Sequence, residues 1–229
     1  MLRLSGMREL CVVKVESDIE GGNTLTNTAK EILVAQEDLL RADLYDYLGA
    51  LLAGPPGKDL LKQAAGLSGD ETDLGQAIGA LARVAKASNE AAGEREYNAL
   101  FVGLARGELL PYASFYMTGF LNEKPLAELR NDMARLGVER SPNKFEPEDN
   151  IASLCEMMAG MIRGRFGVPV DLEGQRAFFN KHIAPWAAHF FTDLEGAKNS
   201  VLYAPVGAVG RVFMEIEREA FRMAGNNPP

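Results

Sequence analysis

The apolar residues of this chain recur at helical spacing from about residue 33 almost to its end. Leucines and aromatic residues three or four positions apart place one apolar stripe on each segment, which predicts amphipathic helices. The stripes lie at 40–52, 74–85, 97–104, 126–136, 151–166, 172–182, 186–191 and 209–221, and a further short helix is predicted over 112–121. The sequence therefore predicts nine or ten helices.

Glycine and proline residues mark the predicted helix limits. The stretch GPPG at 54–57 ends the first helix, and Gly167 with Pro169 is expected to close the helix that opens near residue 147. Pro125 suits a first helical position and Gly137 suits the stop of the same helix. Residues 103–111 and 138–145 are predicted loops. Alternation with period two is absent outside the first 20 residues, so no strand is predicted.

These patterns predict an all-α protein with a single compact multi-helix domain over residues 33–225. Residues 1–32 are polar, contain Gly-Gly and show no sustained period, which predicts a poorly ordered N-terminal segment. No internal repeat with a period of 20–50 residues interrupts the domain. The loop at 138–145 is too short to be a free linker.

Composition and charge narrow the function classes. The formal net charge of −8 argues against nucleic acid as a partner, because phosphate binding requires a basic surface. No apolar run approaches the ~18 residues of a membrane span, and no secretory signal pattern is present. We therefore expect a cytoplasmic protein that does not insert into membranes. Cys155 lies within an apolar stripe, which predicts a buried thiol rather than a disulfide.

Known catalytic motifs are absent. There is no GxGxxG or GxxxxGK[ST] loop, no HExxH and no nucleophile elbow. His182 and His189 are the two histidines, and Pro185 between them disturbs helical register, so no metal site is predicted. We expect no catalytic residue and no metal ligand.

Acidic residues crowd the stretch EPEDN at 146–150, directly before an apolar helix. With Pro147 at the first helical position, Glu148 and Asp149 would fall in the first turn, where the helix dipole stabilises each by ~0.3–1 kcal/mol. Capping alone therefore explains acids here. Two other interpretations remain open: Glu146 and Asp149 as an acid–base pair, and the acids as a recognition site.

Aromatic residues concentrate upstream, in EYNALFVG at 96–103 and PYASFY at 111–116. Core packing is one explanation, although the tyrosine hydroxyls need partners. An aromatic cluster beside acids also describes a groove for a peptide with apolar and basic residues. Met157, Met158 and Met161 follow EPEDN, and methionine suits both cores and adaptable peptide-binding surfaces.

The two motifs, together with the closing HIAPWAAHFFTDL, resemble the TorD/DmsD/NarJ family of redox-enzyme maturation chaperones over residues 35–222. The sequence at 96–126 is most similar to the TorD-like branch of the family that is associated with formate dehydrogenases. The family's second motif usually has the form E-P-x-D-H. Here Glu146, Pro147 and Asp149 match it, and Asn150 replaces the histidine. Asparagine hydrogen-bonds but cannot become cationic.

The resemblance implies a cytoplasmic chaperone, not an enzyme, with the TorD-like all-α fold. Its implied partners are the twin-arginine signal peptide and the catalytic subunit of a molybdenum-cofactor oxidoreductase, which it holds until the cofactor is loaded. No cofactor is implied beyond weak guanine nucleotide binding. The implied leader-peptide-binding residues are Glu96, Tyr97, Phe101, Pro111, Ser114, Phe115, Tyr116, Glu146, Pro147, Asp149 and Asn150.

Two alternatives come from other classes. One is a helical enzyme that uses Glu146 and Asp149 as acid and base, and the other is a non-catalytic oligomeric scaffold. The sequence alone does not name the client enzyme or the oligomeric state.

Overall fold

The predicted helical stripes form helices in the computed structural model, which describes residues 12–14, 34–141 and 145–226. The α-helices are α1 (Gln36–Leu52), α2 (Lys58–Ala65), α3 (Asp73–Ala87), α4 (Glu90–Tyr97), α5 (Ala113–Thr118), α6 (Lys124–Leu136), α7 (Ile151–Arg163), α8 (Leu172–Phe178), α9 (Ala187–Gly196) and α10 (Tyr203–Asn226). Two π-helical turns, Asn98–Val102 and Phe179–Ile183, directly extend α4 and α8. The prediction of one all-α domain is confirmed.

The core is centred on α7, where every residue except Glu156 and Arg163 is buried. Helix α1 packs along α7, and α10 packs against α9, α3 and α1. Gly49 of α1 permits the α1–α7 approach, since a Cβ there would lie 3.3 Å from the Ala152 carbonyl oxygen. The methionines of α7, at most 2% exposed, belong to this core. They are therefore not part of a surface that takes up peptides.

Several helix limits agree with the glycine and proline pattern. Helix α6 carries Pro125 in its first turn and ends at Gly137, whose φ of 67° is the left-handed conformation that glycine adopts readily. Asp171 caps α8 by accepting a hydrogen bond from the Gly174 N–H at 2.8 Å. Helix α7, however, ends at Gly164, with φ of 71°, and not at Gly167–Pro169 as predicted.

The expected absence of strands is wrong at two short segments. Strand β1 (Val12–Lys14) pairs antiparallel with β2 (Val138–Arg140), with Val13 opposite Glu139. The predicted loop at 138–145 therefore begins with a strand, and its residues 142–144 lie outside the described part. Apart from β1, the predicted poorly ordered segment 1–32 also lies outside it. Three residues are too few to show period-two alternation, so the sequence pattern did not reveal either strand.

The position of Leu104 also differs from the prediction. The stripe at 97–104 placed Leu104 on a helix with Phe101, but the π-helical turn ends at Val102 and Gly103 adopts φ of 63°. Leu104 is fully exposed as a result. The chain then runs through the predicted break to α5. In the part of the chain that the structure describes, no helix combines the length and apolar character of a membrane span.

Candidate functional site

The two sequence motifs lie side by side in the structure. Tyr112 and Asn150 form an antiparallel β-bridge, so the segment before α5 pairs with the segment before α7. The Ala113 N–H donates to the Asp149 carbonyl at 3.0 Å, and the Ile151 N–H donates to the Pro111 carbonyl at 2.9 Å. The predicted proximity of the aromatic and acidic motifs is thus produced by backbone hydrogen bonds.

The EPEDN segment precedes α7 instead of forming its first turn. Asn150 is the N-cap, and its side-chain oxygen accepts a hydrogen bond from the Ala152 N–H at 2.9 Å. A turn comes first, in which the Asn150 N–H donates to the Pro147 carbonyl at 3.2 Å. The expectation that Pro147 opens the helix, with Glu148 and Asp149 in its first turn, is therefore wrong. Asn150 is the capping residue.

Asp149 stabilises a different helix. Its carboxylate Oδ2 accepts a hydrogen bond from the Ser114 N–H at 2.7 Å, in the first turn of α5. The N-cap of α5, Tyr112, provides no capping side chain, so Asp149 caps this helix from across the bridge. Asp149 and Ser114 are both 0% exposed. Asp149 Oδ1 and Ser114 Oγ have no hydrogen-bond partner among the described residues.

Glu148 is also engaged within the fold. Its Oε2 accepts from Arg130 Nε at 3.0 Å and Nη2 at 2.8 Å, and Arg140 Nε lies 3.7 Å from Oε1. Glu148 is only 8% exposed. The residue thus joins α6 and β2 to the segment before α7 and has a structural role.

Glu146 differs from its two neighbours. It is exposed, and its carboxylate accepts a hydrogen bond from the Tyr112 hydroxyl. No cationic side chain in the described part of the chain forms an ion pair with it. Burial and the Glu146 carboxylate raise the pKa of Tyr112, which keeps the phenol protonated as a donor. Glu146 is therefore an available acid held in position by a tyrosine.

Glu146 lies on a small pocket of about 100 Å³ between the two motifs. The pocket unites five of the predicted site residues with neighbours on α1, α7 and the first π-helical turn. Its lining consists of Leu52, Ala53, Tyr97, Phe101, Val102, Pro111, Tyr112, Glu146, Asn150, Ala152 and Ser153. The sequence interpretation did not place Tyr112 in the site, although it lies within PYASFY. The contributions of α1 had no signal in the sequence.

The aromatic side of this pocket is a packed cluster. The ring centroids of Tyr97 and Phe101 lie 5.0 Å apart, and Tyr203 of α10 lies 6.1 and 5.5 Å from them. Exposed apolar side chains continue beside the pocket, since Val102 is 55% exposed and Phe145, next to Glu146, is 88% exposed. An apolar surface therefore meets an exposed carboxylate here.

Glu96 does not belong to the pocket. Its two carboxylate oxygens accept hydrogen bonds from the N–H groups of Val201 at 2.7 Å, Leu202 at 3.0 Å and Tyr203 at 2.8 Å. These N–H groups lie at the beginning of α10. Glu96 thus caps a helix more than 100 positions away in the chain, which no local pattern could indicate.

Phe115 and Tyr116 also lie outside the pocket lining. The Tyr116 hydroxyl donates to Asp193 Oδ2 at 2.8 Å, and its ring centroid lies 5.4 Å from that of Trp186. The guanidinium carbon of Arg106 lies 5.3 Å from the Phe115 ring centroid. The structure therefore separates the predicted site residues into a pocket group and a group on α5. Asp149 is buried between the motifs, the Glu96 carboxylate lies at the beginning of α10, and Pro147 lies in the turn before α7.

The geometry does not favour the acid–base alternative. Asp149 is buried and does not line the pocket on which Glu146 lies, so the two carboxylates do not face one substrate. Among the residues that the structure describes, no three metal-ligating side chains cluster. Cys155 is buried, as predicted.

Comparisons with known proteins agree with this architecture. The profile of the family described as nitrate reductase delta subunit matches residues 68–192. Chaperone protein TorD of Vibrio cholerae (classical Ogawa 395) is 32% identical over 98 residues, covering 40% of this chain and 44% of the relative. TorD of Vibrio atlanticus is 25% identical over 128 residues, covering 52% and 60%. The chain thus spans about half the length of these curated relatives.

One solved structure supports the fold. It is described as a redox enzyme maturation protein from Archaeoglobus fulgidus, and it superposes with a TM-score of 0.53 at 22% identity. The match covers 81% of this chain and 99% of the other. At this identity the likeness concerns the fold alone.

Proposed function

Because the chain belongs to the nitrate reductase delta subunit family and its curated relatives are TorD chaperones, we propose that it is a redox-enzyme maturation chaperone. Its proposed ligand is the twin-arginine leader of a molybdenum-cofactor oxidoreductase, bound in the cytoplasm before cofactor loading and export. The resemblance at 96–126 makes a formate dehydrogenase the proposed client. The chaperone itself performs no catalysis in this proposal.

The observation that carries the proposal is the position of an exposed carboxylate, that of Glu146, beside apolar surface at the pocket between the two motifs. A twin-arginine leader joins guanidinium groups to an apolar segment. Glu146 offers an arginine a carboxylate with no competing ion pair among the described residues, and guanidinium–carboxylate contacts are bidentate and directional. Tyr97 and Phe101 offer an apolar side chain an aromatic wall.

The size of the pocket restricts how much of a leader it takes. At about 100 Å³ it is well below the ~300 Å³ at which small-molecule pockets usually begin. It therefore suits one side chain, with the rest of the apolar segment lying on exposed residues such as Val102 and Phe145. This favours an extended peptide over a nucleotide in this position. Weak guanine nucleotide binding stays a prediction, to be checked by titration with GTP.

Of the two acids implied to bind the leader, Glu146 and not Asp149 is the proposed arginine partner. A carboxylate that is 0% exposed and already accepts the Ser114 N–H cannot contact a peptide in this conformation. Asp149 instead positions α5 and, through the Tyr112–Asn150 bridge, the pocket wall. Substitution of Asp149 would lower affinity through the fold, whereas substitution of Glu146 would lower it directly.

Net charge favours capture of such a ligand. The chain carries a formal charge of −8, and a leader's n-region is cationic. Long-range attraction raises the association rate more than the final affinity. Since the Debye length falls to ~8 Å at 0.15 M salt, we expect association to slow as salt is added.

A fluorescence-anisotropy titration with a labelled twin-arginine leader tests the proposal. We expect Glu146→Gln to weaken binding by about five- to tenfold, the loss of one partly exposed charged contact. Glu139→Gln is the matched control, because Glu139 is exposed and does not line the pocket. A twin-lysine leader should bind the native chain less tightly.

The outcomes separate function from site. If the native chain does not bind the leader, the proposed function is wrong. If it binds and Glu146→Gln matches Glu139→Gln, the function stands and the assignment of Glu146 is wrong.

A further inference from the structure

A second and larger pocket lies between α6, α7 and α8. It encloses about 360 Å³, within the range usual for small-molecule sites. Its wall is largely apolar and includes Leu136, Met161, Val170 and Phe178. The leader-binding proposal makes no use of it.

Three charged side chains, Asp132, Arg135 and Lys181, line the same pocket and form ion pairs with one another through Asp132. Asp132 accepts a hydrogen bond from Arg135 and lies 2.6 Å from Lys181 Nζ. His182 Nε2 also lies 2.6 Å from Asp132 Oδ2, behind the rim. Asp132 therefore fixes the two cations beside an apolar cavity.

The charge of this rim is positive. Arg135 and Lys181 carry two positive charges against the single negative charge of Asp132, whatever the state of His182. The nearby Glu128 forms an ion pair with Lys124, with 3.3 Å between Oε1 and Nζ. Each rim cation uses only part of its donors on Asp132, since guanidinium has five N–H groups and ammonium has three. Donors thus remain for a second anion.

We propose that this pocket binds a small amphipathic carboxylate. The ligand's carboxylate accepts hydrogen bonds from Arg135 and Lys181, and its hydrocarbon tail lies against the half-buried Leu136 and Val170. An inorganic anion would leave the apolar wall uncovered, and a neutral hydrocarbon would leave the rim donors unused. The combination of both surfaces selects a ligand with both parts.

This site is independent of the leader pocket. Both use α7, but the leader pocket uses Ala152 and Ser153 and this one uses Met161. Nine residues separate Ala152 from Met161, which is about 13 Å along a helix at 1.5 Å per residue. Loss of either activity therefore leaves the other measurable.

Isothermal titration calorimetry with octanoate tests the proposal on the full chain, with octanol and octylamine as comparison ligands. We expect one octanoate per chain with a Kd on the order of 1 mM, as suits a ligand of this size. Octanol should bind at least about fivefold more weakly, because it cannot pair with the cations. Octylamine should bind more weakly still, because its charge has the sign of the rim.

Two variants locate the site. Arg135→Gln with Lys181→Gln should weaken octanoate about tenfold, a modest loss because these side chains are 72% and 42% exposed. Ala177→Trp should abolish binding by filling the cavity that Ala177 lines. The matched control is Ala134→Trp, on the exposed face of α6 and outside the lining.

Circular dichroism first checks that each variant keeps its helical content. Saturable octanoate binding that Ala177→Trp removes and Ala134→Trp retains supports the proposal. No saturation by about 10 mM octanoate overturns it, as does equal binding of octanol or survival of binding in Ala177→Trp. If Ala177→Trp does not fold, the double substitution of Arg135 and Lys181 is the deciding test, and unchanged octanoate affinity in that variant overturns the proposal.

Discussion

Replacing Glu96 separates structural from binding residues within the first motif. Glu96 matches the chaperone family pattern and was predicted to contact the leader, whereas in the structure its carboxylate caps the beginning of α10. We therefore predict that Glu96→Ala lowers the stability of the fold and leaves the affinity for a leader peptide nearly unchanged.

The expected loss follows from the contacts. Three backbone N–H groups, at 2.7 to 3.0 Å, lose their acceptor, and the helix loses a negative charge near its N-terminus. Removal of a capping side chain costs about 0.5–2 kcal/mol, and the dipole contribution is about 0.3–1 kcal/mol. Because Val201 is exposed, water replaces part of the loss. We expect about 2 kcal/mol for Glu96→Ala and about half of that for Glu96→Gln.

Urea denaturation followed by circular dichroism measures this loss. Glu94→Ala on the same helix is the matched control, because Glu94 is exposed and a surface substitution usually changes stability by less than about 0.5 kcal/mol. For a domain of this size, 2 kcal/mol corresponds to a fall in Tm of about 4–8 °C. The reasoning is refuted if Glu96→Ala is as stable as Glu94→Ala, or if the folded variant loses leader affinity.

Three further predictions concern buried groups. Asp149→Ala should cost about 2–3 kcal/mol in urea unfolding, because the buried Ser114 N–H loses a charged acceptor; stability equal to the native chain would contradict this. Glu217→Ala should cost about 2–3 kcal/mol, because Arg41 Nε and the buried Tyr45 hydroxyl lose their charged acceptor while Arg41 keeps its ion pair with Asp38, and Glu217→Gln should cost less. Burial raises the pKa of Cys155, so in a Cys11→Ser background its thiol should react with a disulfide reagent only after denaturation; rapid reaction of the folded chain would contradict its burial.

The sequence predicted the features that depend on neighbouring residues. Helical period, a proline in the first turn of α6 and the stop at Gly137 are local signals, and each appears in the structure close to where the sequence placed it. The helical pattern led to the fold class, and the aromatic cluster beside acids led to the pairing of the two motifs; the TorD-like resemblance agrees with both.

Features that depend on distant residues did not follow from the sequence. Glu148 and Asp149 looked like first-turn acids because helix dipoles favour acids there, but Asn150 is the residue that caps α7. Asp149 instead accepts a hydrogen bond from the N–H of Ser114 in α5, 35 positions earlier in the chain. A carboxylate is suited to either task, and only the tertiary structure determines which backbone N–H groups it meets.

The bridge between Tyr112 and Asn150 has a thermodynamic consequence. It joins two segments that are far apart in the chain, so the pocket between them exists only when both are folded together. A ligand of that pocket binds the native state and not the unfolded chain, and it must stabilise the native state by RT ln(1 + [L]/Kd). At a hundredfold excess over Kd this amounts to about 2.7 kcal/mol. The melting temperature of the protein would therefore report the fraction of chains with ligand bound. When the ligand is released, this added stability is lost.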